Sequence, residues 1–216
     1  MTPPSNRDYR RPMATVYGMT PSGNCWKVAQ ILRLTGQPFD WVEIDTNGGE
    51  TRSPGFLRRN PFGKVPVLEL DDGTVLVESN AILAHVAEGT PWLPPPGLPR
   101  TRVMEWLFFE QYSHEPNIAV ARNIRAYLGT AAANVERLAA CDAAGAKALD
   151  AMEHRLATHD WLTDAGPTIA DLALFAYTHV ADEGGFDLAR WPGVAAWVAR
   201  VTALPGIVTL PRRAAA

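Results

Sequence analysis

The chain has 216 residues, 47% of them hydrophobic and 20% charged, with a formal net charge of -3. That length supports one or two domains with a sizeable core. The balance leaves no basic footprint for nucleic acid and no polybasic patch for a membrane surface, and no apolar run approaches the roughly 18 residues of a spanning helix.

Residues 1–12 mix prolines, arginines and polar groups without periodicity, and no apolar stretch follows the charges. They read as a loose tail rather than a signal peptide. Thr15-Val16-Tyr17 is a short apolar strand. Gly23 to Leu34 places Val28, Ile31, Leu32 and Leu34 at helical spacing, and Gly36 stops that helix. Phe39 to Ile44 is a second strand. Ser53-Pro54 opens a short helix, with Ser as cap and Pro at the first helical position. Two more strands flank the turn Asp71-Asp72-Gly73, and a helix runs from Glu78 to about Glu88. The order βαβ, α, ββα predicts a mixed sheet with a parallel first crossover and an antiparallel final hairpin.

Gly89 to Pro99 is rich in Pro and Gly and predicts a linker. After Arg100 the pattern is helical. Val103, Trp106, Leu107 and Phe109 open a long helix over about 100–128, and Val135, Leu138, Leu149, Met152 and Leu156 define another. Thr168-Ile169-Ala170-Asp171 has a Thr cap with a carboxylate three residues on. The helix that it opens is apolar nearly all round, hence central and buried. Trp191-Pro192-Gly193 precedes a last helix with Trp197, Val198 and Val201. The expected division is a tail at 1–12, an α/β domain at 13–89, a linker at 90–99 and an all-α domain at 100–210.

The stretch Lys64-Val65-Pro66, followed by Glu78-Ser79, carries chemistry. Pro66 at a strand's first residue loses no ladder bond. Val65 beside it keeps backbone groups to pair with an extended, peptide-like ligand. Ser79 and the amides at a helix start suit that ligand's carboxylate, and Glu78 suits its ammonium. The plainer reading is a hairpin feeding a helix, with Glu and Ser as cap residues. The five histidines, at 85, 114, 154, 159 and 179, show no metal-ligand pattern. No metal is expected. Gly63-Lys64 is no phosphate loop, because Val65 follows where Ser or Thr is needed.

These residues resemble the glutathione site of the cytosolic glutathione transferase superfamily, and the two-part plan resembles it over nearly the whole chain. The resemblance implies a thioredoxin-like α/β domain joined to an all-α domain, with glutathione as co-substrate held by Lys64, Val65, Pro66, Glu78 and Ser79. The ligand-pairing role of Val65 points to a cis bond at Val65-Pro66, and the resemblance, with aromatics such as Phe62 in the loop before the third strand, implies a homodimer. In this family the thiol-activating residue lies between the first strand and first helix. Anchoring on Trp26-Lys27-Val28 gives that place to Ser22, with Asn24 as a second donor to the sulfur. Ser22 and Asn24 also fit as simple helix caps. Tyr17 comes too early for a tyrosine catalyst and reads as packing. Cys25 sits in the first helical turn, where a thiol's pKa can fall, although it lies three residues past the expected catalytic position.

Ser, one residue, then Asn resembles the bacterial Nu-type members, which favour glutathione-dependent disulfide reduction. The same spacing occurs in plant-type transferases. Three readings therefore stand: transfer to a small electrophile, disulfide reduction at the same site, and a non-catalytic glutathione-binding or interaction protein of the same fold. Thr51, Arg52 and Lys64 are candidates for the glycine carboxylate of glutathione. Phe108, Phe109, Tyr112 and Arg122 are candidates for a second-substrate wall. Two cysteines, Cys25 and Cys141, build no disulfide framework, so a reducing cytoplasm is expected.

Overall fold

The computed structural model describes residues 14–213, so the expected tail at 1–12 lies outside the described residues. The first half contains β1 (Ala14–Gly18), α1 (Gly23–Leu34), β2 (Phe39–Glu43), α2 (Pro54–Arg59), β3 (Val67–Glu69), β4 (Val75–Val77) and α3 (Ser79–Val86). The sheet order is β2-β1-β3-β4. β1 and β2 run parallel with Val16 opposite Trp41, while β3 is antiparallel to both β1 and β4, with Leu68 between Val16 and Leu76. Val16, Val67 and Leu68 are fully buried, and the neighbours Val67 and Leu68 pack into clusters on opposite faces, so β3 is covered on both sides.

Helix α1 has the predicted bounds. Gly36, at φ 67, ends it by letting its own N–H and that of Gln37 reach back to the carbonyls of Arg33 and Leu32. Ser53 caps α2 by accepting from the Phe56 N–H, with Pro54 just inside. Helix α3 starts one residue later than expected. Glu78 precedes it at φ 68, a conformation rare outside glycine, and is the one non-glycine residue with positive φ among those described.

The second half is helical. Helix α4 (Leu98–Phe109) begins inside the stretch expected as linker. It continues without a break through a widened π-type turn (Glu110–His114), α5 (Glu115–Arg122) and a second wide segment (Asn123–Leu128). Pro116 has no N–H for the preceding turn and explains the first widening. Helices α6 (Val135–Leu156), α7 (Ile169–Thr178) and α8 (Pro192–Thr202) follow. Every residue of α7 is buried. Thr168 and Asp171 close a capping box at its start, and Asp171 also accepts from Trp197 Nε1 at 3.0 Å and the Leu162 N–H at 3.2 Å. None of the described helices is long and apolar enough to cross a membrane.

Helix α1 packs on α3 on one side and α7 on the other, so nearly all of its length is buried. Its polar residues grip the opposite half. Gln30 donates to the Gly206 carbonyl at 2.7 Å and accepts from the Val208 N–H at 3.1 Å. The segment after α8 thus leaves the helical layer and straps α1. His179 anchors its far end: Nδ1 faces the Phe175 carbonyl at 2.6 Å, so Nε2 accepts the Leu210 N–H at 3.1 Å.

Burial lowers His114 and His179 alike to about 4. The unfolded imidazoles take up protons first, near pH 6.5. Stability is therefore expected to hold above about pH 6.5 and to fall as the pH drops from there towards 4. Burial shifts the Asp171 and Glu115 carboxyls upward, and their contribution instead weakens as pH rises, so they cannot produce that slope. Urea midpoints measured between pH 7.5 and pH 5 check this, and a flat profile would show that neither imidazole is held neutral.

Candidate active site

A cleft of about 510 Å³ opens between the sheet domain and the helical layer. That is ample for a small molecule, given pockets of roughly 300–1,000 Å³. Ser22, Asn24, Lys64, Val65, Pro66, Glu78 and Ser79 all line it, so three separate stretches of sequence converge as expected. Thr51 lines it too, whereas Arg52 does not and is exposed.

The Val65-Pro66 bond is cis. The N–H and C=O of Val65 make no hydrogen bond among the described residues, which leaves both free for an extended ligand. Asn60, buried, shapes the preceding loop: it donates to the Lys64 carbonyl at 2.7 Å and accepts from the Phe62 N–H at 3.0 Å. At the start of α3, Glu78 and Ser79 line the same cleft, no side chain caps the first amides, and the Glu78 carboxylate is exposed. An anion at those amides and an ammonium at Glu78 match the two charges of an α-amino acid.

Ser22 caps α1, accepting the Cys25 N–H at 3.3 Å. Cap and activator do not compete, because a hydroxyl can accept that bond and still donate its own proton into the cleft. The loop that carries it is tied down by Glu43, which accepts from the Thr20 N–H (2.8 Å), the Thr20 hydroxyl (2.7 Å) and Trp41 Nε1 (2.7 Å). Cys25 does not line the cleft, and its sulfur accepts the Met19 N–H at 3.4 Å. It is fully buried, and burial pushes its thiol up to about 11, opposite to the lowering that a helix start can give. It is a packing residue. Tyr17 likewise packs, with the Arg59 guanidinium 4.6 Å over its ring.

Asn24 is committed more deeply than expected. Its Oδ1 accepts from Lys27 Nζ at 2.8 Å and from the Ser79 hydroxyl at 3.2 Å, and its Nδ2 donates to Glu115 Oε1 at 3.1 Å. Behind it lies a buried ion pair, Lys27 Nζ to Glu110 Oε1 at 2.8 Å, with both side chains at 0% exposure. Asn80 and Gln111 donate to the second Glu110 oxygen. The backbone N–H of Asn24 donates to the Tyr177 hydroxyl at 3.4 Å, and the Tyr177 ring lies against Gly23 so closely that a Cβ there would sit 2.7 Å from it. Sequence reasoning missed Lys27, Glu110, Glu115, Asn60 and Tyr177. The one available signal was Lys27 itself, a charge in the middle of α1, three residues from Asn24 and from Gln30.

The expected second-substrate residues separate. Arg122 lines the cleft, but its guanidinium is occupied by Glu183 (2.6 Å), the Pro21 carbonyl (2.8 Å) and the Tyr127 hydroxyl (2.8 Å). It locks the loop bearing Ser22 to the helical layer. Phe109 and Tyr112 do not line the cleft; Tyr112 is 88% exposed and Phe108 is also exposed. Gln111, Glu115, Ala119, Val120 and Asn123 form that wall instead.

Comparison with known proteins agrees with this architecture. The family model described as "Glutathione S-transferase, N-terminal domain" matches residues 16–94, and "Glutathione S-transferase, C-terminal domain" matches 117–205. A crystal structure of a glutathione S-transferase from Xanthobacter autotrophicus Py2 is 65% identical with a TM-score of 0.90, over 92% of this chain and 97% of that one. Glutathione S-transferase 3 of Zea mays is 34% identical over 88% of this chain and 89% of its own length. Ure2p in complex with glutathione is 29% identical with a TM-score of 0.78, over 90% of this chain and 91% of that one. The chain belongs to the glutathione S-transferase family, with a thioredoxin-like first domain and an all-helical second.

Proposed function

We propose that this protein binds glutathione in the cleft and activates its thiol for attack on a small electrophile. The observation that carries the reading is the convergence of Ser22, Val65, Glu78 and Ser79 on one cleft. Val65 pairs with the tripeptide backbone through its free N–H and C=O. Ser79 and the α3 amides hold the γ-glutamyl carboxylate, and Glu78 holds its ammonium. Lys64 and Thr51 reach the glycine carboxylate. Ser22 donates its hydroxyl proton to the sulfur. A free thiol titrates near 8.5, so bringing it to about 6.5 needs roughly 2.7 kcal/mol of differential interaction. Charge-assisted bonds from a hydroxyl and amides at a helix start are of that size. A structure of the protein soaked in glutathione tests the reading directly, by showing which side chain reaches the sulfur.

Disulfide reduction is the second reading. The polar wall of Gln111, Glu115 and Asn123 supports it, because that wall suits a polar disulfide better than an apolar ring. Thiolate attack on carbon and on sulfur needs the same activated anion. Weak turnover of an aryl halide and measurable reduction of a small organic disulfide are expected in parallel assays. Fast aryl-halide turnover with no disulfide reduction would remove the second reading. Retention on glutathione without turnover of either would favour a non-catalytic binding role.

The division at 13–89 and 100–210, a homodimer and a cytoplasmic setting belong to the same proposal. Phe62 on the loop before β3 is 61% exposed, and Phe108 and Tyr112 add apolar surface on the helical half, which supports self-association. Both cysteines are free and buried, as suits a reducing compartment. Sedimentation is expected to give a dimer mass; a concentration-independent monomer would rule it out.

A further inference from the structure

Glu115 lies at the first position of α5, on the cleft wall that faces Ser22 and Asn24. The wide turn ahead of Pro116 brings it there. Its Oε1 accepts the Asn24 amide at 3.1 Å, while its Oε2 accepts no hydrogen bond from the described residues. We propose that Glu115 is the proton acceptor for the glutathione thiol, and that in disulfide reduction it returns the same proton to the leaving sulfur. The proposal rests on the functional reading above and adds a residue that neither the motif nor the family models assign.

The geometry supports a base at this point. The Tyr177 hydroxyl interacts with the Ser22 side chain and feels the charge of Glu115, so on this cleft the carboxylate and the Ser22 hydroxyl share one neighbour. Lys27 fixes the other end of the Asn24 amide, which sets its orientation and therefore which way Glu115 is held. Four groups face the carboxylate: Lys27 from α1, Glu110 from the wide turn, Lys64 from the loop before β3, and the Tyr177 hydroxyl from α7. Burial raises the Glu115 carboxyl from its usual range, towards that of a thiol, which favours proton exchange between the two.

The step balances. Glu115 takes the proton as the glutathione S–H bond breaks, and the sulfur keeps the electron pair. With a disulfide as co-reactant, that pair forms the new S–S bond and the old one breaks. The released thiolate takes the proton from Glu115, which returns to the carboxylate. A carboxylate that only stood near the sulfur would act differently: it would repel the thiolate, and removing its charge would speed the reaction.

Glu115→Gln separates the two. Three quantities are read: the rate at which thiolate absorbance appears on mixing with glutathione, glutathione affinity, and disulfide reduction against pH. The expected result is a fall of about a hundredfold in both rates near pH 7, affinity nearly unchanged, and partial recovery on adding formate to the variant but not to the wild type. Unchanged or faster rates would overturn the proposal, as would a fall in affinity that accounts for the whole loss. Should the variant unfold, Glu115→Asp replaces it: a displaced carboxylate should slow both rates while keeping the pH profile's carboxylate limb, and unchanged rates would again overturn the proposal. A wild-type protein that binds no glutathione overturns the functional reading itself, and this with it.

Discussion

Ser22→Ala is expected to cut turnover about 10²–10³-fold, the usual loss for one donor to a developing anion. The bound thiol should titrate higher, while the affinity for glutathione stays nearly the same, because the proposed contacts of Val65, Glu78 and Ser79 to the tripeptide are untouched. Ser22 is also the α1 cap, and losing a cap costs about 1 kcal/mol. Ser22→Gly resolves the ambiguity. Glycine at a cap position loses only a few tenths of a kcal/mol relative to serine, yet it lacks the hydroxyl just as alanine does. Both variants should therefore be equally slow while differing in stability. Wild-type thiolate absorbance in either would show that the hydroxyl serves the helix alone.

Lys27→Met is expected to be the most destabilising single change near the cleft. It leaves Glu110 charged and fully buried with only two amide donors. Breaking one side of a buried ion pair typically costs about 3–5 kcal/mol. For a chain of this size that corresponds to a fall in Tm of roughly 10 °C. The double variant Lys27→Met/Glu110→Met should recover much of the loss, since a well-packed apolar pair often matches a buried ionic one. Activity should not recover with it. Asn24 Oδ1 would still lack its shortest donor, leaving Asn24 held only by Ser79 and Glu115. Denaturant midpoints and turnover for the single and double variants check both halves. Equal stability of Lys27→Met and wild type would show that the pair contributes nothing.

Local signals in the sequence were strong where one chemistry decides the outcome. Ser53-Pro54, Gly36 and the Thr168–Asp171 box each specify a helix end through groups within four residues, and all three stand as read. The Lys64–Pro66 and Glu78–Ser79 pieces were legible as a strand start and a helix start, and both line the cleft, but the positive φ of Glu78 carried no signal in its residue type. The helical half was harder. A run over 100–128 taken as a uniform helix assigns each side chain a face, but a wide turn inserts about one extra residue, and each extra residue rotates everything after it by roughly 100°. Two such turns flank α5. Glu115, after the first of them, therefore comes onto the cleft, whereas Tyr112 within that turn is 88% exposed and Phe109, ahead of it on α4, packs edge-on against Trp106. Arg122 reaches the cleft yet spends its guanidinium on Glu183, Pro21 and Tyr127, a commitment that only three-dimensional neighbours reveal. Lys27 and Glu110 are 83 residues apart, so neither could be seen as the other's partner.

Helix α1 has a consequence for how the molecule comes apart. Its sheet-side face belongs to one half of the protein, while Trp26, Lys27 and Gln30 are bonded to the other. Neither half can melt without stripping polar groups from the other, so heating should produce one transition rather than two. Amide hydrogens in the middle of α1 should exchange only on complete unfolding. A protease cut in the connector between α3 and α4 should leave two fragments that stay associated and folded. Ligand entry is then expected to involve the exposed rim side chains Lys64 and Glu78 rather than the two halves swinging apart.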